Sequence, residues 1–236
     1  MRTDRLKRGL ALLLVAGMLV LNMDIYGCGT VKAAGESSYG TQMKSGNAGS
    51  NCKYTTYDTD GDEKADLLVI SGTGPMLDGE YPLKPYLEGI RKVVIEYGVT
   101  RIGDWNFGTS SSSETRNKSI ISVEIQTDAQ GSTTVESIGQ YAFYLANNLQ
   151  TINLPTGIKK IEKNALAGTP SLRSISLPEG LQTLGYNAVN GRSKDGNKDS
   201  VIIPSTVTSI GSNAVGGFNK VYSLCSAGSG EGNAAY

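Results

Sequence analysis

Thr151 to Thr169 reads TINLPTGIKKIEKNALAGT and Ser174 to Gly191 reads SISLPEGLQTLGYNAVNG, two versions of one pattern whose Leu154-Pro155 and Leu177-Pro178 pairs lie 23 residues apart. Ile203-Pro204 repeats the pair 26 residues further on. The phase holds inside each copy: Ile161, Leu184 and Ile210 follow Ile158, Leu181 and Val207 by three residues. Ala165, Ala188 and Ala214 come four residues later. Two degenerate copies precede these, Val135 to Phe143 and Val99 to Phe107, the latter with Asn106 where the others carry alanine. Ile102 and Ile138 are 36 residues apart, and two polar insertions, Thr109 to Lys118 and Thr127 to Thr133, account for the excess over one period. Self-similarity at this period is the mark of a stacked repeat.

Within a copy, Ile152 and Leu154 alternate with Asn153, the period of a short half-buried strand. Pro155 ends it by withholding a ladder donor. A turn then brings Ile158 and Ile161 inward, and the small Asn-Ala pair suggests a tight helical turn. One copy buries roughly five apolar side chains at about 1.5 to 3 kcal/mol each, less than the entropy of ordering its residues. It must therefore stack. The expectation is a right-handed α/β solenoid of five to six copies with a parallel β-sheet along one face, strands about 4.8 Å apart.

With Ile-Gly at 102, 138 and 210, these IxLPxxIxxIxxxA-like copies resemble the BspA-type leucine-rich repeats of bacterial secreted and surface proteins. The stretch Leu67 to Met76, then Pro85-Tyr86, then Ile90 to Gly103 resembles the opening of such domains, and the likeness runs from about Tyr54 to Tyr236. Tyr54, Asn106 and the Leu or Val at 166, 189 and 215 depart from the usual residues. The resemblance implies a binding role and offers no catalytic residues.

Composition narrows the chemistry. The 236 residues contain no histidine, which removes Ser-His-Asp and Cys-His nucleophiles, HExxH zinc sites and most catalytic zinc centres. Arg2, Arg5, Lys7 and Arg8 precede an apolar run from Leu10 to Leu21, a basic and then hydrophobic order typical of an export signal. The run is too short for a bilayer core that needs about 20 residues. Residues 1–33 read as a signal peptide cut near Ala33 or Ala34, with a rival lipobox cut that would leave Cys28 as a lipid-bearing N-terminus. Removing residues 1–33 takes away five basic and two acidic residues and leaves 17 basic against 20 acidic, a balance unsuited to nucleic acid. Residues 34–50 read as a flexible linker, 51–89 as an N-terminal β-hairpin and capping segment, and 90–236 as the repeat stack.

Candidate sites are few. Asp58, Asp60 and Asp62 resemble the start of a calcium loop, but Glu63 and Val69 stand where an EF-hand needs glycine and a closing carboxylate, so a turn joining two strands is expected and no metal or cofactor. Cys52 and Cys225 sit at opposite ends of the stack, beyond the about 7 Å a disulfide allows between Cα atoms, and are expected to be free thiols. Gly72-Thr-Gly74 is followed by Pro75 rather than Gly-Lys-Ser, which makes it a tight turn and no phosphate loop. Asn117-Lys-Ser119 has a glycan-acceptor outline to which no weight is attached. The expected binding face is the outward row Val94, Glu124, Asn153, Ser176, Ile202 and Tyr222. Twelve tyrosines against three phenylalanines suggest either exposed aromatics for contacts or tyrosine standing in for phenylalanine in a thin core. The expectation is a secreted or surface-attached, non-catalytic protein that binds another macromolecule, protein or glycan. The alternative is an ancillary glycan- or peptide-binding module of an extracellular enzyme system.

Overall fold

The structure, a computed structural model, describes residues 39–79, 83–109, 119–191 and 199–224. The expected signal peptide over residues 1–33, Cys28, Asn117 and Cys225 lie outside these residues, as does most of the Thr109 to Lys118 insertion.

Strands β1 (Thr41–Asn47), β2 (Cys52–Asp58) and β3 (Leu67–Gly72) form an antiparallel meander. After β3 come the short strand β4 (Gly74–Pro75), then β5 (Lys92–Ile95) and β6 (Val99–Ile102). Each later copy supplies short strands in turn: β7 (Ser122–Ile125) and β8 (Ser137–Ile138), β9 (Thr151–Ile152) and β10 (Lys160–Ile161), then β11 (Thr183–Leu184), β12 (Val201–Ile203), β13 (Ser209–Ile210) and β14 (Val221–Ser223). One six-stranded sheet runs β1-β2-β3-β5-β7-β9, parallel from β3 onward. A second runs β13-β11-β10-β8-β6-β4, parallel throughout, and β12 pairs with β14 alone.

The second sheet corrects the expectation of a sheet on one face only. The Ile158-to-Ile161 segment forms a two-residue strand because its backbone bonds the copy before it: Lys159 N–H donates to the Glu136 carbonyl (2.8 Å) and Glu162 N–H to that of Ile138 (3.0 Å). Register confirms the frame of the copies. Ile102 faces Ile138, which faces Ile161, then Leu184, then Ile210. The 36-residue gap between the first two is therefore one copy with insertions. The first four of this column are fully buried, as are Ala142, Ala165 and Ala188.

The α part of the α/β expectation is also corrected: the described residues hold no α-helix, and Lys84–Tyr86 is a 3-10 turn. The supposed helical turn at Asn-Ala is a tight turn whose first residue lies in the left-handed region, at φ 54° for Asn164, 51° for Asn187 and 54° for Asn213. Asparagine tolerates that conformation and a helix does not propagate from it. Leu166 N–H then donates to the Ala188 carbonyl (2.8 Å) and Val189 N–H to that of Ala214 (2.7 Å), so the turn bonds across copies rather than along itself.

The linker expectation fails at its C-terminal part. β1 pairs with β2 although nearly all its side chains are exposed, so backbone bonding rather than burial holds it. Ala48 beyond it is buried, its N–H donates to the Cys52 carbonyl (2.9 Å), and its own carbonyl accepts from Leu77 N–H (2.7 Å).

Candidate binding surface

The outward row of the strand face is only partly exposed. Val94 is 1% exposed: it packs with Tyr57, Leu67 and Val69 in a small apolar cluster of its own, against which Tyr39 lies. This is a correction, and its cause is the N-terminal segment. The Tyr39 hydroxyl donates to Glu96 Oε1 (3.1 Å) and accepts from Gln126 Nε2 (3.0 Å), and its ring lies 5.5 Å from that of Tyr57. Nearby Glu96 and burial raise the phenol's pKa above its ordinary value, burial being the larger effect.

The rest of the row is open. Glu124 faces Val94 across the ladder and pairs with Lys92 (2.6 Å). Asn153 extends the ladder sideways, accepting from Ile125 N–H (2.7 Å) and donating to the Ile125 carbonyl (2.8 Å). Ser176 is exposed in a stretch without strand assignment. Ile202 and Tyr222 face each other across β12 and β14 at 52% and 49% exposure. These two large apolar groups are left half in water side by side.

A second surface, missed at the sequence level, lies on the turn edge beside the second sheet. Trp105 and Tyr141 occupy the left-handed position that Asn164, Asn187 and Asn213 hold in later copies, at φ 62° and 56°. Their rings stack with centroids 4.1 Å apart and 5° between planes. Tyr144 stands edge-on to both, at 6.0 and 5.3 Å. Lys163 Nζ lies 5.9 Å from the Tyr141 ring and 6.0 Å from that of Tyr186, which is 46% exposed. Arg101, in the copy that carries Trp105, is paired with both Asp78 and Asp104, and Glu162 lies 3.9 Å away. Asp104 also accepts from Gln140 N–H (2.8 Å). Desolvation, then the neighbouring Asp104 and Asp78, raise the Glu162 carboxyl above its usual range against the pull of Arg101. The available signal was the column itself, where aromatic residues break a run of asparagines.

Asn106, the departure from alanine, ties the first copy to the segment before it: its amide donates to the carbonyls of Leu77 (2.8 Å) and Gly79 (2.9 Å) and its oxygen accepts from Gly103 N–H (3.0 Å). Cys52 is buried with its sulfur 3.2 Å from the Gly74 carbonyl, and burial raises its pKa. The carboxylates of Asp58, Asp60 and Asp62 come within 4.8 Å of one another in the turn from β2 to β3, a group able to hold a cation. Asp58 accepts from the backbone amides of Gly61 (2.7 Å), Glu63 (2.9 Å) and Asp60 (3.2 Å), which holds its carboxyl below the usual range. Asp60 and Asp62 accept from the amides of Asp62 and Lys64 in the same way. No helix among the described residues is long and apolar enough to cross a membrane.

Residues 116–226 match the BspA type leucine rich repeat region in six copies. Among solved structures, a leucine-rich repeat protein from Eubacterium ventriosum is 25% identical with a TM-score of 0.59, over 78% of this chain and 44% of its own. The chain thus spans less than half the length of that relative. A leucine rich repeat protein from T. pallidum is 24% identical with a TM-score of 0.48, over 66% of this chain and 63% of that one. One from Bacteroides ovatus is 23% identical with a TM-score of 0.44, over 73% of this chain and 39% of that one. No curated protein matches the chain.

Proposed function

Since residues 116–226 belong to the BspA type leucine rich repeat family, we propose that the protein is an exported, surface-associated binding protein that holds another macromolecule and catalyses nothing. Leucine-rich repeats serve generally as frames for binding, and a stack whose copies touch only their neighbours offers an extended surface. The observation that carries the reading is the open part of the strand row, Glu124, Asn153, Ser176, Ile202 and Tyr222, which ends in two exposed apolar side chains paired across β12 and β14. The partner in this reading is a protein. The signal segment over residues 1–33 and the absence of histidine support export and a non-catalytic role respectively. The test is a surface-binding assay of the purified chain against a panel of extracellular-matrix proteins, repeated with Ile202→Asp and Tyr222→Asp. Binding that either charge weakens supports the strand face as the site. Binding indifferent to both removes that face from the reading.

A second reading, an ancillary glycan-binding module, is favoured by the aromatic turn edge.

A further inference from the structure

The fold itself asks for asparagine at the left-handed turn position. Three copies use it, at Asn164, Asn187 and Asn213. Two copies instead hold Trp105 and Tyr141 there, although a bulky side chain at positive φ is an outlier. Strain of this kind persists where the side chain has other work. Both rings are half-buried and stack on each other across copies, which leaves only part of each in solvent.

The column continues the theme by other means. Lys163, one residue before the left-handed position in its copy, lies beside the Tyr141 ring, and Tyr186 occupies the equivalent place in the next copy. From Trp105 through Tyr141 and Lys163 to Tyr186, planar or cationic groups follow one another, with Asp104, Gln140 and Glu162 next to them in the chain and Arg101 paired with Asp104. Three positive groups, Arg101, Lys160 and Lys163, stand against three carboxylates, Asp78, Asp104 and Glu162, so the edge favours neither a polyanion nor a strongly basic partner.

We propose that this turn edge is a platform for a neutral glycan chain. A pyranose has apolar C–H groups that pack on aromatic rings, here the 46% exposed Tyr186 ring and the solvent-facing parts of Trp105 and Tyr141 that their mutual stack leaves open, and vicinal hydroxyls that pair with the carboxylate, amide and guanidinium groups beside them. A protein partner is the weaker fit, since its interfaces spread over about 800 Å² a side with anchors seated in pockets, and this row is one or two side chains wide. The inference deepens the glycan-binding reading and is independent of the strand face.

Trp105 is the only tryptophan in the chain, so its fluorescence reports on the site directly. The probes are soluble neutral polysaccharides (mixed-linkage β-glucan, xylan, mannan and dextran), with heparin as polyanion. The expected result is a saturable change in emission with at least one neutral polymer and none with heparin. Tyr186→Ala removes an exposed ring, and Tyr141→Asn installs the residue the fold uses in other copies, so both variants keep the fold, checked by circular dichroism. Each should weaken the response about ten-fold or more, while Ile202→Asp leaves it unchanged. Silence with every neutral polymer, a response to heparin alone, or a response that survives both tyrosine variants overturns the glycan platform. If a matrix protein still binds in an Ile202-dependent manner in that event, the strand-face reading stands without it. Matrix-protein binding lost in Tyr186→Ala and retained in Ile202→Asp would make the edge a protein site instead.

Discussion

Replacing Ala188 by aspartate tests the repeat frame at its most crowded column. Ala188 is fully buried, as are Ala142 and Ala165 in the copies before it, and Ala214 after it is 2% exposed. Its carbonyl accepts from Leu166 N–H in one neighbouring copy, and the next residue, Val189, donates to the Ala214 carbonyl in the other, so the backbone there is fixed from both sides. Aspartate adds three heavy atoms to this space, an overpacking that costs about 1 to 3 kcal/mol. A carboxyl buried without a partner adds about 1 to 3 kcal/mol even after it takes up a proton. The total, about 2 to 6 kcal/mol, is a large part of the about 5 to 15 kcal/mol that keeps a domain folded. Ser176→Asp is the control. Ser176 is exposed on the strand face and its replacement costs about 0.5 kcal/mol or less. Urea denaturation followed by far-ultraviolet circular dichroism separates the two. Equal midpoints for Ala188→Asp and Ser176→Asp would refute the alignment of the copies and the surfaces derived from it.

Asn187→Ala is expected to lower stability by about 1 kcal/mol, because alanine pays for the left-handed φ that asparagine tolerates, whereas Asn187→Gly stays within about 0.5 kcal/mol; thermal melts of both variants check this. Asp58 has its carboxyl lowered by the amides of Gly61, Glu63 and Asp60, so it stabilises the fold above the ordinary carboxylate range and that contribution is lost as pH falls. Melting temperature should therefore drop less steeply between about pH 5 and pH 3 in Asp58→Asn than in the parent. Cys52 is buried and its thiol pKa is raised, so it resists a thiol reagent in the native chain. Denatured without reductant, a chain cut after residue 33 should titrate as two free thiols, and a mass two units below the reduced form would reveal a bridge. Under the proposed export the mature protein should begin near Ala34, and a diacylated Cys28 in its mass spectrum would replace the secretion reading by lipid anchoring.

The repeat frame was legible because it rests on features a sequence carries openly: apolar residues at fixed offsets, proline at strand ends and alanine where copies crowd. The registers Ile102 to Ile138 to Ile161 follow from those offsets even across the insertions. What was illegible depended on the backbone. A two-residue strand such as Lys160–Ile161 is too short for alternation to show, and it exists only through bonds to the copy beside it. β1 escaped for a related reason, since Thr41 to Asn47 exposes almost every side chain and has no apolar face to announce it. Burial of Val94 escaped because Tyr39, which lies against its cluster, came from the segment read as linker. Asn-Ala was read as helical because small residues favour tight turns, while the positive φ that stops a helix leaves no mark beyond the asparagine itself.

Copies within one chain also serve as controls on one another, and their exceptions converge. The residue after the inward Ile or Leu is glycine at 103, 139, 185 and 211, and a Cβ on Gly185 would come within 2.6 Å of the Lys163 nitrogen and 2.7 Å of the Glu162 carbonyl carbon. Glycine there is a demand of the stack. Glu162 is the exception in that column, and its carboxylate turns to Arg101. Trp105 and Tyr141 are the exceptions in the asparagine column, and Asn106 in the alanine column. Asn106 has a packing reason in its bonds to Leu77 and Gly79. Trp105 and Tyr141 pack on each other across copies and Glu162 lies 3.9 Å from Arg101, so the other three sit along one turn edge. Departures forced by folding alone would scatter among the copies according to local packing. Departures that gather on one half-buried edge, two of them against the backbone preference of their own column, are what the proposed glycan platform would leave in a repeat.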